Sequence, residues 1–202
     1  MTPVLITNSW LRSAYSALRN LTEHDVPVTV ADCRHHGMCQ SSRRRAHVAR
    51  YRSHYSDQQA FVDDVVRICE EHSIGLVLPS HNETEILAQH REKLPLGVDA
   101  LLPNADHCTL FNDKAQGYDL ARSCGVPVPF RVAYTDTKEL ADKLRDEGLT
   151  RCVIKLRTGN SAKGVFYAHS PNEAAETVRR LVREFDLPAD RLPQVEEYVS
   201  GE

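Results

Sequence analysis

The residues from Lys155 to Val165 (KLRTGNSAKGV) have the types and spacing of an anion-binding loop. A lysine ends one apolar stretch and a glycine begins the next, which predicts a strand, a short polar loop and a second strand. Gly159 and Gly164 permit positive φ angles, and successive backbone N–H groups of such a loop can surround an anion. Lys155 and Lys163 add point charges suited to phosphate. This stretch therefore predicts binding of a phosphorylated ligand.

Two other nucleotide-binding motifs do not fit the sequence. Gly159 and Gly164 have the spacing of a Walker A loop, but Val165 and Phe166 follow where Lys and Ser or Thr are required. The turn after the first predicted strand, Asn8-Ser9-Trp10, contains no glycine. This disfavours an alternative in which the first half of the chain holds a dinucleotide or nucleotide-sugar site.

Composition and charge exclude several classes of protein. Of the 202 residues, 41% are hydrophobic and 26% are charged, as in globular proteins. The 25 Lys and Arg residues against 28 Asp and Glu residues give a net charge of −3, so we expect no nucleic-acid partner. No apolar run approaches the roughly 20 residues of a membrane span, and the N-terminus lacks a secretory signal. The six scattered cysteines predict reduced thiols and a cytoplasmic location.

The elements that must position the loop differ between the two halves of the chain. In residues 1–105, short apolar strands alternate with amphipathic helices, which is typical of a parallel sheet covered on both faces. The predicted strands there are 4–7, 26–31, 74–78 and 100–102. A helix over about 113–124 and an extended connector then precede a mixed α+β region. Its predicted strands are 130–134, 151–155, 164–168 and 194–199, and its predicted helices are 137–147 and 171–185.

Four segments, in this order along the chain, resemble the ATP-grasp carboxylate–amine ligases, a family that includes carbamoyl-phosphate-synthase-like proteins. Residues 4–85 are similar to the Rossmann-like domain that precedes the ATP-grasp fold. Asn112-Asp113-Lys114, with Gly125-Val126-Pro127-Val128-Pro129 after it, resembles the family's Asp-Lys helix and connector. Residues 155–165 resemble its phosphate-covering loop, and residues 194–202 (QVEEYVSGE) resemble its adenine-binding hinge.

The resemblance implies an α/β fold in three parts. These are a Rossmann-like parallel-sheet pre-ATP-grasp domain (1–105), a linker helix with its connector (106–129), and an incomplete α+β first lobe of an ATP-grasp domain (130–202). It also implies ATP and Mg²⁺ as cofactors. Two residues of the loop depart from the family pattern: Leu156 replaces a proline, and Ser161-Ala162 replaces Gly-Ser.

Roles follow from the resemblance by position. Lys114 and Lys155 would contact the nucleotide phosphates, and the loop would close over them. Glu196 and Val199 would meet the adenine edge, largely through backbone groups, and Glu202 would reach the ribose. The implied nucleotide-binding residues are Lys114, Lys155, Gly159, Ser161, Lys163, Gly164, Glu196, Val199 and Glu202.

The implied activity belongs to a longer ligase that converts a small carboxylate to an acyl phosphate for attack by an amine. Family members continue past the segment matched by Glu202 into a second lobe that carries the magnesium ligands. We therefore expect the 202 residues alone to be inactive, and we assign them no catalytic side chain and no metal ligand. The alternative is a non-catalytic nucleotide- or metabolite-binding module. The oligomeric state stays open, a homo-oligomer included.

Two further groups of residues attract functional interpretations. Glu83 and Glu85 lie just beyond a predicted parallel strand, where open α/β sheets bind ligands, and are candidates for holding a substrate amine. Cys33 to Cys39 (CRHHGMC) contains the side-chain types that bind zinc. No second Cys or His pair follows at the usual spacing, so a loop without metal is favoured there.

Overall fold

The computed structural model describes residues 1–159 and 164–201. The chain divides into two units, Met1–Cys108 and Thr109–Glu202. The division falls within α4 (Ala105–Asn112), a helix that the sequence analysis did not predict. The predicted linker helix, α5 (Lys114–Ser123), belongs to the second unit, where its Tyr118 hydroxyl accepts a hydrogen bond from Lys155 and its Ala115 carbonyl accepts one from Arg131.

The apolar runs of the first unit form a parallel sheet. Its elements are β1 (Val4–Ile6), α1 (Arg12–Glu23), β2 (Val28–Asp32), β3 (His47–Arg50), α2 (Gln58–Glu71), β4 (Leu76–Leu78), α3 (Glu83–Gln89) and β5 (Asp99–Ala100), with a 3-10 turn at Arg91–Lys93. The strands lie in the order β3-β2-β1-β4-β5, and each neighbouring pair is parallel. From β1 the chain first adds β2 and β3 on one side of the sheet, and then β4 and β5 on the other side of β1.

Side chains of β1 alternate between two apolar clusters, as the pleat of a strand requires. Leu5 packs in a cluster with Phe61 of α2, whereas Ile6 packs in another with Leu18 of α1. All four side chains have no exposed surface. The prediction of a parallel sheet covered on both faces is therefore confirmed.

The second unit is an antiparallel sheet with two helices packed on one face. After α5 it contains α6 (Leu140–Asp146), β6 (Cys152–Lys155), β7 (Val165–Ala168), α7 (Pro171–Glu184) and β8 (Gln194–Glu197), with a 3-10 turn at Ala189–Arg191. The strand order is β7-β6-β8. Cys152, Ile154 and Val195 pack against α6 and α7. Because side chains alternate along a strand, Lys155 and Glu196 lie on the opposite sheet face.

The strand predictions differ from the structure at two places, residues 130–134 and residues 47–50. The predicted strand 130–134 is reduced to an isolated bridge between Arg131 and Glu196, although Val132 N still donates to Val195 O at 3.0 Å. Strand β3 was not predicted, because three of its four residues are exposed and it has no apolar run. Tertiary pairing with β2 makes it a strand.

Local capping fixes the beginnings of the two longest helices of the described chain. Asp57 accepts a hydrogen bond from Ala60 N before α2, and Ser170 accepts one from Glu173 N before α7, whose first residue is Pro171.

Within residues 1–159 and 164–201, no helix combines the length and apolarity needed to cross a bilayer.

His54, which follows β3, is a buried imidazole whose two ring nitrogens have no hydrogen-bond partner in the structure. Its ring packs against those of Tyr55, at 4.1 Å between centroids, and Phe61, at 5.5 Å. Burial lowers the pKa of His54, and the nearby charge of His81 acts in the same direction, whereas Glu83 opposes it. His54 is therefore held neutral by its surroundings.

We expect protonation of His54 to destabilise the fold in mild acid. Its pKa is lower in the folded than in the unfolded chain, so the unfolded chain binds the proton first and the free energy of unfolding falls as pH drops below about 6.5. His54→Phe keeps the ring packing and removes the titration. Urea unfolding between about pH 7.5 and about pH 5.5 measures the effect. The exposed His36→Phe serves as control, and an equal fall in wild type and His54→Phe would contradict this account.

Candidate functional site

Lys155 and Glu196 form an ion pair on the face of the β7-β6-β8 sheet opposite α6 and α7. The register of β6 and β8 places Val153 opposite Glu196 and Lys155 opposite Gln194, so Lys155 and Glu196 are diagonal neighbours. Lys155 Nζ contacts a Glu196 carboxylate oxygen and donates to the Tyr118 hydroxyl at 3.0 Å. The Glu196 side chain is 2% exposed and that of Lys155 20%.

The surroundings keep Lys155 charged. Burial by itself lowers the pKa of Lys155, but the hydrogen bonds to Glu196 and Tyr118 outweigh it and raise that pKa above its usual value. The second Glu196 oxygen accepts a hydrogen bond from Gln194 Nε2 at 2.8 Å. Both oxygens of the buried carboxylate therefore have donors, and Lys155 has a fixed position.

Lys114 reaches the same region from the start of α5. Asp113 caps this helix by accepting hydrogen bonds from Ala115 N at 2.9 Å and Gln116 N at 3.3 Å. Lys114 Nζ donates to the carbonyl of Gly159 at 2.8 Å. Burial lowers the pKa of Lys114, and the positive charge of Lys155 lowers it further. The fold thus brings two lysines that are distant in sequence close enough to repel each other.

The two glycines at the ends of the loop have the backbone conformations that the sequence predicted. Gly159 has a φ of 120° and Gly164 a φ of 126°, values that favour glycine. Leu156 N donates to Gly164 O at 2.8 Å, and the Leu156 side chain lies so close that a Cβ at position 164 would be 3.1 Å from it. Leu156, which replaces the family's proline, therefore closes the base of the loop. The predicted site residues Ser161 and Lys163 lie outside the described residues.

The predicted adenine-binding residues occupy different surroundings. Glu196 is flanked by β6 on one side and bridges to Arg131 on the other, and its side chain is buried against Lys155. Val199 lies beyond β8 and is exposed. Glu202 lies outside the described residues. Their contacts with a nucleotide remain a proposal.

Arg157 and Tyr118 belong to the site although the sequence analysis did not identify them. Arg157 forms two hydrogen bonds to the Asp113 carboxylate, from Nε at 3.0 Å and from Nη2 at 2.6 Å. Tyr118 is one helical turn after Lys114, so both lie on one face of α5. This spacing was the sequence signal that could have identified Tyr118. Nothing in the sequence pairs Arg157 with Asp113, because the contact joins a loop to a distant helix start.

A cleft of about 400 Å³ lies elsewhere in the second unit, between α5, residues 131–135 and residues 189–194. Three of the cations that line it already have anionic partners. Arg131 pairs with Asp119 at 2.5 Å and Lys143 with Glu139 at 3.1 Å, while Arg157 pairs with Asp113. These three cations are therefore already neutralised, whereas Lys114 donates to a neutral carbonyl.

In the first unit, Glu83 has no exposed surface. Its carboxylate accepts hydrogen bonds from Thr7 Oγ1 at 2.5 Å, from the Asn8 side-chain amide, and from Ser80 N at 3.0 Å. These donors join the carboxyl ends of β1 and β4. Its oxygens thus already accept protein donors, and the role of Glu83 in holding a substrate amine stays a prediction. Glu85 is partly exposed and stays a proposal.

The chain itself covers the turn after β1. A Cβ at Gly37 would lie 2.8 Å from the Trp10 Cα, so only glycine fits that approach. Cys39 N donates to Ser9 O at 3.2 Å, and the buried Asp32 accepts from Trp10 N at 3.1 Å. A dinucleotide would need this space, which agrees with the lack of glycine in the turn. The six cysteines are free thiols, and the described residues contain no group of three or more potential metal ligands.

We expect Lys155→Met to lower the free energy of unfolding by about 3 kcal/mol, because Glu196 would keep a buried charge without its cationic partner. Lys155→Met/Glu196→Gln removes both charges and should recover most of that loss. Urea unfolding at neutral pH measures both variants, with the exposed Lys138→Met as control. A Lys155→Met protein as stable as the control would show that the ion pair is unimportant for folding.

Neither a protein-family model nor a curated protein matches the sequence, but solved structures share its fold. The biotin carboxylase domain of Hydrogenobacter thermophilus 2-oxoglutarate carboxylase is 16% identical with a TM-score of 0.71, over 98% of this chain and 44% of that one. N5-carboxyaminoimidazole synthetase from Staphylococcus aureus is 13% identical with a TM-score of 0.71, over 100% and 48%. The L-amino acid ligase from Bacillus licheniformis is 15% identical with a TM-score of 0.69, over 100% and 45%.

The chain thus spans less than half the length of these proteins. At such low identity the likeness establishes the fold. The chain has the fold of the ATP-grasp carboxylate–amine ligases, with a parallel five-stranded sheet followed by an antiparallel three-stranded one, as the sequence resemblance predicted.

Proposed function

We propose that this chain binds the phosphates of ATP through Lys114 and Lys155, as part of an ATP-dependent ligase. The observation that carries the proposal is the convergence of the two lysines. One begins α5 and the other ends β6, yet Lys114 donates to the loop that starts after Lys155, and the pKa of Lys114 is lowered by burial and then by the charge of Lys155. Bringing two cations together costs free energy, which a polyphosphate bound between them would offset.

The hydrogen-bond acceptor of Lys114 fits this role. Among the described residues, Lys114 Nζ donates to a neutral acceptor, the Gly159 carbonyl. A phosphate oxygen is a stronger acceptor for an ammonium group, since both partners are then charged. Gly159 and Gly164 allow the loop backbone to approach the phosphates closely, and Ser161 and Lys163 between them are the further proposed contacts. Glu196, Val199 and Glu202 are proposed for the adenine and ribose.

The fold neighbours support a nucleotide ligand. The structure of the Hydrogenobacter thermophilus domain contains MgADP, ADP and bicarbonate, and that of the Staphylococcus aureus synthetase contains ADP. We propose that the whole protein converts a carboxylate to an acyl phosphate, which an amine then attacks. A carboxylate and a triphosphate repel each other, so fixed cations such as Lys114 and Lys155 are needed to bring them together.

Mg²⁺ enters this proposal with the nucleotide. The described residues hold no group of three or more His, Cys, Asp or Glu side chains that could ligate a metal, so we assign none of them to the ion. The chain spans less than half the length of its fold neighbours, and ligase activity is therefore proposed for the whole protein. For the 202 residues by themselves we propose nucleotide binding without turnover. Glu83 and Glu85 stay proposed for a substrate contact, and of the two Glu85 is partly exposed.

We expect the 202-residue chain to bind ATP with Mg²⁺ and Lys114→Ala to weaken that binding roughly tenfold or more, as loss of a hydrogen bond between charged groups does. Lys114→Ala is the cleaner variant, because it leaves no buried carboxylate behind. Lys155→Ala should weaken binding at least as much. Isothermal titration calorimetry measures the affinities.

Lys143→Ala is the matched control, since Lys143 is a lysine of the same unit that pairs with Glu139 outside the site. It should bind ATP as the wild type does. Failure of the wild-type chain to bind ATP, or equal affinities of Lys114→Ala and the control, would refute the proposed function.

A further inference from the structure

Arg157 links the loop to the beginning of α5. It stands two residues after Lys155, and its guanidinium group forms a two-pronged ion pair with Asp113, at 3.0 and 2.6 Å. Its remaining nitrogen donates to the carbonyl of Asp190 at 2.6 Å. The Asp113 side chain is 4% exposed and that of Arg157 22%, so the pair is largely shielded from water. A planar guanidinium is the side chain suited to such a bridge.

Two other bonds join the same segments. Lys114 N donates to the Arg157 carbonyl at 2.8 Å, and Lys114 Nζ donates to the Gly159 carbonyl at 2.8 Å. With the ion pair to Asp113, these bonds connect the first turn of α5 to residues 157–159. The position of Lys114 relative to Lys155 therefore depends on this connection, because Lys155 is fixed separately by Glu196 and Tyr118.

The bonds between the first turn of α5 and residues 157–159 counteract two unfavourable electrostatic interactions of Lys114. A lysine at a helix N-terminus is disfavoured by the helix dipole, and Lys114 is also repelled by Lys155. Burial alone raises the pKa of Asp113, but its bonds with Arg157 and with the backbone of α5 outweigh burial and lower it, so the carboxylate stays ionised. Pairing with Arg157 compensates this charge, which would otherwise repel phosphates bound next to it.

We propose that Arg157 is a positioning residue of the phosphate site: by bridging the loop to Asp113 it holds Lys114 and Lys155 so that both face the same polyphosphate. This inference rests on the proposed function and adds a residue to it. Arg157 touches protein groups only, and it acts on the ligand through Lys114. A purely structural ion pair would instead affect stability and leave the affinity of the folded protein for ATP unchanged.

The test compares charge removal with loss of the bridge. Arg157→Met leaves the buried Asp113 without its cationic partner and is expected to lower both stability and ATP affinity. Asp113→Asn/Arg157→Met removes both charges and keeps a residue that caps helices well, so its melting temperature should return close to that of the wild type. Its ATP affinity should stay roughly tenfold below the wild type, the usual size of losing a residue that orients a ligand-binding group.

Arg157→Lys provides a second route that leaves no unpaired carboxylate. It retains the charge but cannot form the two-pronged bridge together with the Asp190 contact. We expect a wild-type melting temperature and weaker ATP binding. Arg145→Met is the control, because Arg145 pairs with Asp142 on α6 away from the loop. Calorimetry with ATP and Mg²⁺ and thermal melts followed by circular dichroism give the two readouts.

The two proposals fail in different ways. Wild-type ATP affinity in either folded variant, Asp113→Asn/Arg157→Met or Arg157→Lys, would overturn the role of Arg157 while the Lys114→Ala result still supports the proposed function. A wild-type chain that does not bind ATP, or a Lys114→Ala chain that binds it normally, would overturn both. Weak ATP binding at a wild-type melting temperature, with Arg145→Met unaffected, supports the positioning role.

Discussion

The buried carboxylate of Glu196 is the constraint on which the candidate site depends. An ionised group at 2% exposure is costly unless its oxygens receive donors, and Lys155 and Gln194 supply them from the same sheet. This requirement holds the Lys155 ammonium at the end of β6 and draws Tyr118 of α5 toward it. The start of α5, with Asp113 and Lys114, is then placed beside the loop by Arg157.

The two units differ in how their charged side chains are paired. In the first unit, Glu83 and Asp32 are buried at the carboxyl ends of the strands, and protein donors satisfy both carboxylates. The segment around Gly37 occupies the space over the β1–α1 turn. In the second unit, Lys114 donates to a backbone carbonyl and has a like charge, Lys155, nearby. The buried carboxylates of the first unit are typical of groups that stabilise the fold. The neighbouring lysines of the second unit favour binding of an anion.

The sequence predicted elements wherever apolar periodicity or capping was strong. Strands β1, β2 and β6 and helix α7 correspond closely to the predictions, because their apolar runs and, for α7, its cap act locally. Strand β3 has three exposed residues of four and forms through pairing with β2, which no local pattern shows. Helix α4 carries few apolar signals and none of its residues is buried.

Residue types by themselves determined which groups could bind phosphate: lysines at the ends of elements and glycines around a polar loop, recognisable because these properties belong to single residues and short spacings. Only the tertiary structure decided which of them meet. It joined Lys114 to Gly159, paired Lys155 with Glu196 and Arg157 with Asp113, and placed Glu83 in the interior. Such contacts arise from strand register, helix docking and burial, which depend on residues far apart in the chain.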